Sequence, residues 1–215
     1  MVMDEDKVRQ ILASDFIIKG DVEIQSDLSV NVGGDVRMTR RSKTGLIPIK
    51  FGIVDGEFRA THMNLTSLEN APDSCHDLYV SGNRLTSLKY CPVYLGTLDV
   101  SNNRITNFHH APDIVRFIHA YMNPLTSLEG FANSDSDPDA EIDYVDITFD
   151  PHLPMLRLLN AEEIHVSSPG PGYSHITAFQ PVHDILNKYA GQGKAGALKC
   201  AAELIRAGFK ENARW

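Results

Sequence analysis

The chain has 215 residues, 42% of them hydrophobic and 22% charged, an ordinary globular composition that argues against gross disorder. Its 20 Lys and Arg against 28 Asp and Glu leave a net charge of -8, which argues against a general phosphate-backbone binder, because such affinity needs many cations on phosphates. Three cysteines at irregular spacing make no disulfide framework and fit a reducing compartment, so the cytoplasm is the expected location.

At the N-terminus, Asp4, Glu5 and Asp6 and the short apolar run Ile11-Leu12-Ala13 do not read as a signal peptide. No window approaches the roughly 18 apolar residues that span a bilayer, so no membrane role is expected. Val8, Ile11 and Leu12 fall at helical spacing behind the N-cap candidate Asp4, which predicts a helix over 4–13. Val22 and Ile24, then Leu28, Val30 and Val32, then Val36 and Met38 alternate as strands, broken at Ser26-Asp27 and Gly33-Gly34. Residues 1–55 are therefore expected to form a helix and strand cap, with 46–58 as a degenerate first coil.

Residues 56–131 repeat. Leu65-Thr66-Ser67-Leu68 returns as Leu85-Thr86-Ser87-Leu88, Ile105-Thr106-Asn107-Phe108 and Leu125-Thr126-Ser127-Leu128, each time after 20 residues. Phe58, Leu78, Leu98 and Ile118 keep the same phase, as do Ala60, Val80, Val100 and Ala120. Pro72, Pro92 and Pro112 mark the return path, and Asn83, Asn103 and Asn123 the exit from each strand. Self-similarity at this period predicts an α/β repeat solenoid in which stacked short strands form a parallel sheet and each coil buries its leucines against the next. The asparagine amides are expected to satisfy turning backbone, as a ladder. Alternation along each strand then aims Arg59 and Thr61, Tyr79 and Ser81, Asp99 and Ser101, His119 and Tyr121 onto one outward, concave face. Aromatic residues among small polar ones suit a protein contact, so these eight are the expected partner-binding residues, flanked by His62, Gly82, Asn102 and Met122.

The unit Leu-Thr-Ser-Leu, then Ala-Pro or Cys-Pro, then Leu-x-Val-Ser-x-Asn resembles the short bacterial class of leucine-rich repeats. The run from Asp27 through Gly52 to Glu69, with Leu28-Ser29-Val30-Asn31-Val32 and Ile47-Pro48-Ile49, is similar to the small leucine-rich repeat proteins of tailed bacteriophages. The resemblance covers about residues 21–131. It implies a protein acting in the infected host's cytoplasm, engaging and inhibiting a host protein of metabolism or anti-phage defence. Secreted bacterial effectors with similar repeats carry a large ubiquitin-ligase domain, for which this chain has no space.

Cys75-His76-Asp77 is the one enzyme-like cluster. Neighbours on an extended segment diverge, so Cys75 reads as core filler, no catalytic residue is assigned and no enzyme is expected. After Phe131 the register is lost. Residues 132–168 are expected to hold irregular coils around Ile142, Tyr144, Ile147 and Phe149, then Leu158, Ile164 and Val166, with an acidic insertion. There Asp135, Asp137, Asp139, Glu141, Asp143 and Asp146 have the spacing of a calcium loop, yet Ala140 replaces its bend glycine and Asp146 its bidentate glutamate. A solvated insertion is the preferred reading, and no cofactor or metal is assigned.

Ser167 to Gly172 is a turn-rich boundary, and 169–215 is expected to be a linker and a two-helix cap. Helices are predicted over 183–190 and 194–207, the second burying Ala197, Leu198, Ala201, Leu204 and Ile205. Gly191-Gln192-Gly193-Lys194-Ala195-Gly196 spells a dinucleotide motif, but a helix rather than a strand precedes it, so it reads as a helix break. Lys188, Lys194, Lys199, Arg206, Lys210 and Arg214 make the tail basic. They leave two other readings open beside protein binding, a nucleic-acid contact and a structural virion part.

Overall fold

The computed structural model describes residues 3–131, 142–168 and 178–215. Helix α1 (Glu5–Asp15) starts where Asp4 accepts the Lys7 N–H at 2.8 Å, the expected cap. It buries Val8 and Leu12 and runs straight into β1 (Phe16–Lys19), a strand that sequence periodicity missed. β2 (Val22–Ile24), β3 (Val30–Val32) and β4 (Asp35–Met38) follow as predicted, except that Leu28 has φ 67° and turns instead of extending. Next come β5 (Phe51–Val54), β6 (Glu57–Arg59), β7 (Asp77–Tyr79), β8 (Tyr94–Asp99) and β9 (Ile114–His119). β10 (Ile142–Thr148), a 3-10 turn over Leu156–Asn160 and β11 (Ala161–Ser167) lead to α2 (Gln180–Asn187) and α3 (Gly193–Arg206).

Eight strands make one sheet in the order β1-β4-β6-β7-β8-β9-β10-β11. β1 and β4 are antiparallel and every later pair is parallel, in unshifted register: Phe58 lies beside Leu78, Leu78 beside Leu98 and Leu98 beside Ile118. A repeat solenoid with a parallel sheet is therefore what the 20-residue period encodes. β2, β3 and β5 form a second, three-stranded sheet. All the in-phase positions from Phe58, Ala60, Leu65 and Leu68 onward are buried, as are Pro72, Pro92 and Pro112.

The asparagine ladder is present. Asn83 accepts the Met63 and Leu65 N–H groups at 2.9 and 3.0 Å and donates to Ala60 and Val80 C=O, both at 2.8 Å. Asn103 and Asn123 repeat the arrangement one and two coils on. Each amide thus ties its own strand exit to the previous coil, where a parallel ladder alone leaves these groups unpaired. Two further columns follow the period. His62, Gly82, Asn102 and Met122 all have φ between 53° and 69°, and Asn70, Tyr90, His110 and Gly130 between 64° and 85°. At Gly130 a Cβ would stand 2.3 Å from the Phe108 carbonyl oxygen, so glycine is required there.

The last strand is closed by the segment that follows it. Asn187 of α2 accepts the Ile164 N–H at 3.0 Å and donates to the Ile164 C=O at 2.5 Å, imitating a neighbouring peptide. Phe179 N–H donates to Val166 C=O and Gly191 N–H to Ala161 C=O. The glycine turn at the start of α3 follows a helix, as the sequence indicates, with Gly191 and Gly193 at φ 71° and 47°.

The predicted burial of α3 needs correction. Leu198 is 86% and Ile205 52% exposed, whereas Gly196, Cys200 and Leu204 are buried. Gly196 lies so close to Tyr189 and Gln192 that a Cβ would meet theirs at 3.3 and 2.9 Å, so the small-residue side packs inward and rotates Leu198 out. Leu204→Ala is expected to cost about 2–4 kcal/mol and Leu198→Ser under about 0.5 kcal/mol, measured by urea unfolding. Equal losses would contradict this orientation.

Candidate functional site on the outward sheet face

In-register stacking turns alternate side chains into rows across the sheet. One row runs Arg37, Arg59, Tyr79, Asp99, His119, Asp146, His165. A second, two residues earlier on each strand, runs Glu57, Asp77, Thr97, Phe117, Tyr144, Glu163. The structure therefore brings together Arg59, Tyr79, Asp99 and His119 as neighbours on consecutive strands. Thr61, Ser81 and Tyr121 sit two residues beyond them, half-buried.

Several of these side chains are held in place. The Arg59 guanidinium lies 4.0 Å from the Tyr79 ring centroid and bonds Glu57 at 2.9 Å, and that bond raises its pKa. Asp99 accepts the Ser101 N–H at 3.0 Å and hydroxyl at 2.7 Å. Ser101 is only 1% exposed, so it braces Asp99 and does not itself reach the surface. His119 Nδ1 lies 3.0 Å from Asp146 Oδ2, and the other Asp146 oxygen accepts the Ala120 N–H at 3.1 Å. The Tyr144 ring stands 5.5 Å from the imidazole, and burial, then the Asp146 charge, pushes its hydroxyl up to about 12. Braced side chains lose little freedom on binding, which favours a contact surface.

The hydrogen bond from Asp146 raises the His119 pKa, burial opposes it, and the Asp146 and Asp99 charges add to the rise. Folding thus favours the imidazolium. The stabilisation is complete below the unfolded value of ~6.5 and is lost as pH rises through the raised native value. The difference in urea midpoint between the parent chain and His119→Gln is expected to be largest near about pH 6 and to shrink toward alkaline pH. A difference that grows with pH would contradict the pairing.

Asp143 and Asp146 do not belong to the solvated acidic insertion that the sequence suggests, nor to a calcium loop. Both lie in β10, where Asp143 pairs with Arg116 at 2.5 Å and Asp146 with His119 at 3.0 Å, so the chain's own cations already hold them. Asp135, Asp137, Asp139 and Glu141 lie outside the described residues. Among the described residues no group of three or more acidic, histidine or cysteine side chains is arranged to hold a metal.

Sequence spacing does not place Tyr144, Asp146 and His165 on this face. The spacing from His119 to its neighbour Asp146 is 27 residues, and the insertion hides the register. Cys75 is 6% exposed, and desolvation pushes its thiol up to about 12, far from the thiolate a nucleophile needs. Of the basic tail residues, two are ion-paired. Lys188 pairs with Glu203 at 2.5 Å and Arg214 with Glu211 at 3.1 Å, while Lys194, Lys199 and Arg206 are exposed on α3. Among the described residues no helix is long and apolar enough to cross a membrane. No protein-family model, curated protein or solved structure matches the chain.

Proposed function

We propose that this chain is a phage-encoded leucine-rich repeat protein without catalytic activity, which grips a host bacterial protein through the outward face of its eight-stranded sheet and inhibits it. In this reading α1 with β1 to β4 caps one end of the repeats, and α2 with α3 caps the other. The observation that carries the reading is the continuous row Arg59, Tyr79, Asp99, His119, in which arginine, tyrosine and charge stand on consecutive strands and are braced from beside. Rigid aromatic and arginine side chains are the usual energetic anchors of protein contacts.

The test is affinity capture from infected host lysate with the parent chain, with Tyr79→Ala/Tyr121→Ala, and with Tyr90→Ala/Leu198→Ala as a control off the sheet. A partner kept by parent and control and lost by the first pair is expected. Equal recovery by all three would overturn the assignment. The rival reading, nucleic acid on the C-terminal helices, draws on the exposed Lys194, Lys199 and Arg206 and requires binding that falls steeply with salt.

A further inference from the structure

The two ends of the eight-stranded sheet are treated differently. At β11 the outward-directed N–H and C=O of Ile164 are both taken by Asn187. At the other end β1 has β4 on one side and, among the described residues, no strand on the other. Its ladder shows which backbone groups face the open side. Phe16 lies opposite Met38, Ile17 opposite Arg37, Ile18 opposite Val36 and Lys19 opposite Asp35. One step earlier in the same register, Thr39 N–H donates to Asp15 C=O at 2.8 Å. Bonded and non-bonded pairs alternate in an antiparallel ladder, so Ile17 and Lys19 bond toward β4, and the backbone of Phe16 and Ile18 points away from it. The Phe16 N–H is taken by Leu12 C=O at the end of α1. The Ile18 N–H and C=O and the Phe16 C=O are left directed at the edge.

We infer that this edge pairs, antiparallel, with β1 of a second copy of the chain. Groups of this kind call for an extended backbone, and three observations select a copy of the same strand. First, the pairing is self-complementary. About a two-fold axis through Ile18, each Ile18 N–H meets the Ile18 C=O of the second copy, and Ile17 stands opposite Lys19, so no like charges face each other. Second, the edge carries apolar surface on both faces. Ile17 is 55% exposed on one, and on the other a groove of about 350 Å³ is lined by Leu12, Ala13, Phe16, Ile18 and Val22, with Arg9 at its rim. Third, the flanking cations are already paired, Arg9 with Glu5 at 2.6 Å and Lys19 with Asp35 at 3.4 Å. These two cations therefore enter the contact already compensated. Four residues are too few to retain a loose peptide against the entropy of ordering it, whereas a folded second copy arrives ordered. The pairing joins two eight-stranded sheets edge to edge, with β4 and its Asp35 and Arg37 as the next strand on either side.

The test is sedimentation equilibrium of the full chain over a wide concentration range, beside Ile17→Lys. The parent is expected at twice the chain mass when concentrated, dissociating on dilution, and Ile17→Lys at the single-chain mass with an unchanged circular dichroism spectrum. As a check independent of any substitution, amide exchange at Ile18 in the parent should slow as concentration rises. A parent that stays at single-chain mass throughout overturns the inference. So does a dimer that survives Ile17→Lys with no concentration effect at Ile18. The outward-face binding reading stands or falls separately, since Tyr79 and Tyr121 are not on this edge.

Discussion

Asn103→Leu is expected to lower the unfolding free energy by about 1–3 kcal/mol, read as a drop in urea midpoint at unchanged m-value. The shape is nearly kept and the hydrogen bonds are lost. Asn103 is 7% exposed, accepts the Leu85 N–H at 2.9 Å, and donates to the Val80 and Val100 C=O groups at 3.0 Å each. Leucine leaves the buried Leu85 N–H unpaired, at about 1–3 kcal/mol, whereas the Val80 and Val100 C=O groups keep the Asn83 and Asn123 amides at 2.8 and 2.9 Å. The lost bond joins two coils, so the loss is felt in the stacking between neighbours and not only within one turn. Asn107→Leu, on the same coil but half-exposed with only local bonds, should change stability by under about 1 kcal/mol. Similar effects from the two variants would remove the ladder from the account of stability.

Phe51→Ala is expected to cost about 3–5 kcal/mol and to act on the N-terminal end first. Phe51 belongs to the three-stranded sheet and is fully buried, with the rings of Phe16 in β1 and Phe58 in β6 edge-on at 5.2 and 5.1 Å. It is the point where helix end, small sheet and large sheet meet. Removing it opens a cavity and breaks two aromatic pairs worth about 0.5–1.5 kcal/mol each. Because a solenoid distributes its stability through nearest neighbours, amides of β1 to β4 should lose exchange protection before those of β7 to β9. Ile53→Ala, two residues away and 52% exposed, is the control, with a change within about 0.5 kcal/mol. Uniform loss of protection along the chain would contradict the local role of Phe51.

The central coils were legible because one constraint fixes many positions at once. A leucine at 65, 85 or 125 and an asparagine at 83, 103 or 123 has the same neighbours in every coil, so period alone gives burial, register and facing. Where the period breaks, so does legibility. β1 is missed because Phe16-Ile17-Ile18 is a short apolar run without alternation. In α3 two apolar stripes compete, and the choice between Leu198 and Cys200 is made by how closely Gly196 can approach Tyr189, a tertiary fact. Asp146 reads as one of a run of acids until β10 is laid beside β9 and it meets His119. Asn70 and Gly130 announce their left-handed turns, but Tyr90 and His110 do so only through their spacing. The eight outward residues were placed by alternation, and seven reach the surface to some extent. Ser101 does not: it is 1% exposed, with its hydroxyl bonded to Asp99.

The most direct test of the proposed contact is photo-cross-linking in the infected cell, with a benzophenone side chain introduced in turn at positions 79, 119, 90 and 198. Binding through the outward sheet face predicts a covalent adduct to one host protein from 79 and 119 and none to that protein from 90 or 198. Adducts from 90 or 198 with silence at 79 and 119 would place the contact elsewhere and contradict it.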